Sequence, residues 1–223
     1  MRIWDLPLRL FHWGLAICVV GAILSAENEV FVVHERFGLA VMALVGWRII
    51  WGFIGGHHAR FANFLRGPST VIAWLRDEKA GLHKVRGAGH SPIAGYSVLA
   101  MLMIAWFMAF SGSISTDGIL FDGPLAHLLP AYNKTASFLH HQLGEKLLFF
   151  IIFLHVAAIL YYKFIKKRGL TMAMVKGQAT DLPGTIEGAD GAISRNRTIF
   201  GILLMIIMIA GAQMLTLLRP ALF

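Results

Sequence analysis

HQLGEKLLFFIIFLH, residues 141–155, is an apolar stretch with a histidine at each end. At about 1.5 Å per residue, a helix over this interval rises roughly 21 Å and completes close to four turns. His141 and His155 therefore lie on the same face of the helix, one near each side of a bilayer core. A polar imidazole at such depth is costly unless it has a partner.

The composition places this helix in a membrane protein with several spans. The chain has 223 residues, of which 57% are hydrophobic and 14% charged, and its mean hydropathy is +0.67. An apolar core about 30 Å thick requires roughly 20 residues of helix. Five segments meet this length, at about Leu6–Ala26, Val33–Ile54, Pro92–Gly112, Leu143–Ile165 and Ile199–Leu218. We predict an all-α membrane protein, a four-helix transmembrane bundle plus a fifth transmembrane helix.

The loop charges predict the topology. Lys and Arg concentrate between the second and third spans and directly after the fourth, whereas the connections on the opposite side contain few. The positive-inside rule then places the N-terminus in the cytoplasm and the C-terminus in the periplasm of a bacterial inner membrane. The net charge of +8 reflects these loops and not nucleic-acid binding. Within the basic loop, Pro68–Lys79 predicts a short interfacial helix with proline near its start.

Cysteine usage restricts the chemistry. The single cysteine, Cys18, lies in an apolar run, so no disulfide framework or cysteine metal cluster is expected. The CxxCH signature of covalent haem attachment is absent from the sequence. Any haem is therefore expected to be non-covalent. The first apolar stretch also lacks a cleavage site for a signal peptide.

Four histidines, His12, His34, His141 and His155, lie at depths that match in pairs. Under the predicted topology, His12 pairs with His155 on the cytoplasmic side and His34 with His141 on the outer side. Helical bundles build cofactor sites from side chains on facing helices. Two imidazoles per iron give a six-coordinate haem, which transfers electrons and does not readily bind substrate at the metal. The pattern predicts two haem b groups held by these histidines as metal ligands.

Arg48 follows His34 by 14 residues, so it lies on the same helix face. A guanidinium at that depth requires a counter-charge, and a haem propionate is a suitable partner. The alternative is that Arg48 extends to the cytoplasmic interface. Arg9, one turn before His12, either binds a propionate or marks the interface.

Two further histidines compete for roles at these sites. His140 neighbours His141 but lacks the 14-residue interval to His155, which favours His141 as the ligand. His90 opens the third span, where it binds a propionate, binds a quinone or simply lies at the interface.

The chain resembles the prokaryotic cytochrome b561 family of di-haem membrane cytochromes. The motifs are WDLPLRLFHW at 4–13, HERFG at 34–38, RIIWG at 48–52, GHSP at 89–92 and the 141–155 stretch. The resemblance covers about residues 2–168 and implies bis-histidine b haems. It also implies electron exchange between quinone (ubiquinone or menaquinone) and a redox partner. The family often has His-Glu where this chain has His141-Gln142, which removes a carboxylate near the outer haem.

The predicted organisation follows from these motifs. Residues 1–168 form the cytochrome b561-like bundle, 169–197 a cytoplasmic linker and 198–223 the additional helix, which either docks a partner or extends the lipid-facing wall. The predicted function is electron transfer between the quinone pool and a periplasmic partner such as a c-type cytochrome.

Several alternatives stay open. The chain could anchor a larger oxidoreductase of the hydrogenase or formate dehydrogenase type. It could be a quinone-linked enzyme that oxidises superoxide, although such an enzyme requires a basic outer surface to attract the anion. A haem-free transport or structural protein and a homo-oligomer also stay open.

Overall fold

The computed structural model describes residues 2–80, 91–118, 121–178 and 191–219. Over these ranges the regular secondary structure is helical, with isolated bridges between Arg2 and Gln178 and between Thr116 and Asp122. The α-helices are α1 Leu6–Glu27, α2 Phe31–Ile54, α3 Phe61–Phe64, α4 Pro68–Lys79, α5 Pro92–Ile114, α6 Asn133–Phe138, α7 Glu145–Phe164, α8 Leu170–Lys176 and α9 Arg195–Gln213. A π-helical segment, Leu139–Gly144, joins α6 to α7, and a 3₁₀ segment, Met214–Leu218, follows α9.

Within the described ranges, five helical segments are long and apolar enough to cross a membrane: Leu6–Glu27, Phe31–Ile54, Pro92–Ile114, Pro130–Phe164 and Arg195–Leu218. These confirm the five predicted spans and the all-α membrane class. The second segment is the most enclosed, with 56% of its most apolar window buried by the rest of the chain.

The chain divides into two compact units. Unit 1 comprises Met1–Leu10, Ile49–Ala100 and Phe153–Gly201, and unit 2 comprises Phe11–Arg48, Met101–Ile152 and Ile202–Phe223. The boundary cuts all five long helices, so each unit contains one portion of every span.

A buried carboxylate organises unit 1. Asp5 caps the start of α1, where its Oδ1 accepts a hydrogen bond from the backbone N–H of Leu8 at 2.8 Å. The same carboxylate accepts from Trp51 Nε1 at 3.2 Å and from the backbone N–H of Gly56 at 3.1 Å. Asp5 thereby ties the first helix to the end of the second, and its charge is met by several donors.

The predicted short helix after the second span is confirmed, because α4 covers Pro68–Lys79 with proline in its first turn. Lys166, which follows α7, forms a salt bridge of 2.6 Å with Glu78 on α4. This hydrogen bond raises the pKa of Lys166 above its usual value.

The predicted linker contains structure that its composition did not indicate. Residues Leu170–Lys176 form α8, which ends at Gly177 in the left-handed conformation (φ 76°) that favours glycine. The carbonyl of Gly177 then accepts a hydrogen bond from the backbone N–H of Ile3 at 2.8 Å. Residues 179–190 of this linker lie outside the described residues.

Candidate haem site

A cavity of about 310 Å³ lies within unit 2. Small residues of α2 and α5, among them Gly38 and Ala109, form part of its wall, and a Cβ at Gly38 would meet nothing within 4 Å. Small residues let a flat group approach the backbone of a membrane helix closely. The three histidines that line this cavity are His34, His140 and His141.

His34 is oriented by a carbonyl of the neighbouring helix. Its Nδ1 lies 2.8 Å from the backbone oxygen of Ala22 on α1. Because a carbonyl only accepts, this contact makes Nδ1 the protonated nitrogen and leaves the Nε2 lone pair for a metal. Metal-binding histidines usually donate their second N–H in this way.

His140 has the same arrangement. Its Nδ1 lies 3.0 Å from the backbone oxygen of Met108 on α5, which likewise leaves Nε2 as a potential ligand. The ring centres of His34 and His140 are 5.9 Å apart and their planes are inclined at 78°. Two imidazoles that share a metal through bonds of about 2 Å have ring centres roughly 6 Å apart. The separation of the two rings therefore matches that of a bis-histidine iron site.

The segment that carries His140 and His141 is not a regular α-helix. Leu139–Gly144 is π-helical, and such wide turns frequently occur at functional sites. The extra residue of a π-turn changes the helical phase, so the 14-residue interval no longer decides between His140 and His141. His141 lines the cavity with an exposed side chain, whereas His140 is half-buried against His34. His141 as a ligand stays a prediction, and the structure adds His140 as a second candidate.

Gly112 makes room for the His140 ring. A Cβ built on this α5 residue would lie 2.7 Å from Cε1 and 3.0 Å from Nδ1 of His140. We expect Gly112→Ala to displace the ring and destabilise the protein by about 1–3 kcal/mol, as overpacking does. Haem loss during thermal denaturation measures this effect.

Gly211 on α9 provides the matched control for Gly112, because a Cβ there would meet nothing within 4 Å. Gly211→Ala should leave the denaturation temperature unchanged or raise it slightly, since alanine is the better helix former. Equal denaturation temperatures for the two variants would contradict a tight fit at Gly112.

The other described residues predicted for the haem sites do not line this cavity. His12 belongs to unit 2 and His155 to unit 1, so their pairing stays a prediction. Arg48 is only 2% exposed, which disfavours an extended side chain at the interface. Nη1 of Arg9 donates a hydrogen bond to the backbone oxygen of Val175 on α8. His90 lies outside the described residues.

Sequence reasoning missed a second cavity, of about 440 Å³, within unit 1. Its charged lining comes from the N-terminal segment and the predicted linker, and includes Arg2, Asp5, Arg9, Lys176 and Arg195. The N-terminal segment meets the linker only through tertiary contacts such as the Ile3–Gly177 hydrogen bond. No local motif marks residues so far apart in the chain.

The spans and the carbonyl-oriented imidazoles define a multi-pass membrane protein equipped to hold haem. The family model of prokaryotic cytochrome b561 matches residues 3–177, and the chain belongs to this family. It is a membrane cytochrome b that transfers electrons, with haem b as its cofactor.

Two relatives agree with this class. They are probable Ni/Fe-hydrogenase B-type cytochrome subunits from Azotobacter vinelandii and Azotobacter chroococcum mcd 1. Each is 24% identical to this chain, and the match covers 78% of this chain and 86% of the relative. No solved structure matches the chain.

Proposed function

We propose that this cytochrome transfers electrons across the bacterial inner membrane through two haem b groups, between the quinone pool and a periplasmic partner such as a c-type cytochrome. The observation that carries this proposal is the cavity in which the ring centres of His34 and His140 lie 5.9 Å apart. In each ring, a backbone carbonyl accepts a hydrogen bond from Nδ1. His34 with either His140 or His141 holds the outer haem. His12 and His155 hold the inner one.

Haem b supplies a one-electron iron couple when it is bound. The carbonyls of Ala22 and Met108 fix the tautomers of His34 and His140 and make Nε2 of each ring a more basic donor. Two histidine ligands would leave no position for substrate at the metal, so this ligand set favours electron transfer over oxygen chemistry. The small and apolar residues of the wall limit water access, which also influences the potential.

Charged side chains position the propionates in this proposal. The enclosed guanidinium of Arg48 pairs with one of them, because guanidinium and carboxylate form strong charge-assisted hydrogen bonds. Arg9 and His90 are further candidates for a propionate, and His90 also for quinone. Ubiquinone and menaquinone both suit the proposal, and the side at which quinone reacts is left open. The loop charges support a cytoplasmic N-terminus and a periplasmic C-terminus.

A haem assay of the purified chain, combined with a redox titration of the same sample, tests the proposal. Two b haems per chain with two separable potentials are expected. One haem would mean that one histidine pair is structural. A chain purified without haem from haem-sufficient cells would overturn the proposal.

The second candidate function is that of a cytochrome subunit in a larger oxidoreductase. The similarity to the two Azotobacter relatives, which are probable Ni/Fe-hydrogenase B-type cytochrome subunits, favours it. Purification from native membranes in mild detergent should then recover a soluble catalytic subunit with the cytochrome. If the chain purifies alone and still transfers electrons from quinol to a c-type cytochrome, the first proposal is preferred.

A further inference from the structure

A buried carboxylate lies beside the proposed outer haem. Glu35 directly follows His34 on α2, lines the same cavity and is 7% exposed. A buried carboxylate is costly unless a charged or hydrogen-bonding group compensates it. Its charge also affects the potential of a nearby iron, because negative charge stabilises the oxidised state over the reduced one.

The compensating charge comes from the C-terminal end of the chain. Nη2 of Arg219, directly after the 3₁₀ segment, lies 2.6 Å from Oε1 of Glu35. The same nitrogen donates to the backbone oxygen of Asp122 at 2.6 Å, and the guanidinium lies 5.0 Å from the centre of the Phe121 ring. The salt bridge combines a buried acid with a base that is about one-third exposed, the side chains being 5% and 34% exposed.

A second set of contacts fixes the segment that carries Arg219. Nη1 of Arg36 donates to the backbone oxygen of Gln213 at 3.1 Å and to Oγ1 of Thr216 at 3.2 Å. Nε2 of Gln213 donates in return to the backbone oxygen of Arg36 at 3.0 Å. The end of the fifth span is thus held against the start of α2.

We propose that Arg219 sets the potential of the outer haem by neutralising Glu35. This inference rests on the proposed haem at His34. The fifth span lies beyond residues 3–177 that match the family, so the adjustment comes from an addition to the family core. Inside a low-dielectric site, removal of one member of the pair exposes the iron to the remaining charge.

Redox titration of the full-length Arg219→Gln protein, followed by visible and electron paramagnetic resonance spectra, tests this role. The exposed charge of Glu35 should lower the midpoint potential of the outer haem and leave the inner haem unchanged. We expect the ferric-to-ferrous ratio at a fixed potential to rise about tenfold, equivalent to about 59 mV for one electron. Glu35→Gln should shift the potential in the opposite direction, and Glu35→Gln combined with Arg219→Gln should restore it.

Arg36→Gln is the matched control for loss of a positive charge, because it removes the side-chain contacts to Gln213 and Thr216 and leaves the salt bridge itself intact. The segment stays held in this variant by the hydrogen bond from Gln213 Nε2 to the backbone oxygen of residue 36. Arg36→Gln should shift the outer potential much less than Arg219→Gln does, and an equal shift would overturn the proposal.

The remaining outcomes separate this inference from the proposed function. A wild-type chain without haem defeats the proposed function itself. Two haems with an unchanged outer potential in Arg219→Gln overturn only the role of Arg219. If Arg219→Gln loses the outer haem, recovery of that haem in the double variant supports charge compensation. Continued loss in the double variant shows a purely structural contact and overturns the proposal.

Discussion

Replacement of His34 by alanine is expected to remove the outer haem and leave the inner haem bound. His34 is the residue that both possible outer pairings share, and its Nδ1 is already held by the Ala22 carbonyl. Loss of its Nε2 leaves the iron with one protein ligand, and alanine cannot replace the metal bond. Haem content should fall from two per chain to one. Any outer haem that stays bound should lose the low-spin spectrum of a bis-histidine site.

A control and a reciprocal variant complete this experiment. His127, an exposed histidine between the third and fourth spans, lies outside the cavity lining, so His127→Ala should retain both haems. His155→Ala should give the reciprocal result and lose mainly the inner haem. Two haems with unaltered low-spin spectra in His34→Ala would show that the outer site has been assigned incorrectly.

The spans were predictable because their signals are local. An apolar run of about 20 residues needs no tertiary information to be recognised as a transmembrane helix. The same is true of α4, where proline stands at the start of an amphipathic helical pattern. The observed helix has the predicted bounds. The helix that ends at Lys176 lacked such a signal, because it is short and makes its contacts with the N-terminal segment.

The geometry of the outer site was less predictable. The choice of His141 assumed a regular helix, whereas Leu139–Gly144 is π-helical. That local widening accompanies a tertiary contact, since the ring of His140 packs over Gly112 and bonds the Met108 carbonyl on α5. Periodicity along one segment cannot reveal a contact with another helix.

Arg219 illustrates the same limit at longer range. Its salt bridge joins residues 184 positions apart. The sequence predicts the fifth span only as an apolar helix that follows the four-helix bundle. Glu35 falls within the second predicted span, where a carboxylate requires a partner, but the sequence prediction did not single it out. The identity of that partner depends on which face of α9 meets α2, and only the structure supplies it.

Substitution of both His140 and His141 by alanine should remove the outer haem, and only one of the single substitutions should do the same. The double variant eliminates every candidate imidazole opposite His34 in the part of the cavity that the structure describes. The low-spin signal of the outer haem identifies the ligand: its loss in His140→Ala would select the residue that packs against His34.

Loss of the low-spin signal in His141→Ala would instead select the residue at the 14-residue interval from His155, which also lines the cavity. Histidines at adjacent positions of a π-turn point in different directions, so we do not expect one to replace the other without a change in the spectrum. A double variant that still holds two low-spin haems would exclude both residues and place the second outer ligand elsewhere. If the double variant loses the outer haem, His155→Ala is the control for misfolding, because it should keep the outer haem in a chain that lacks the inner one.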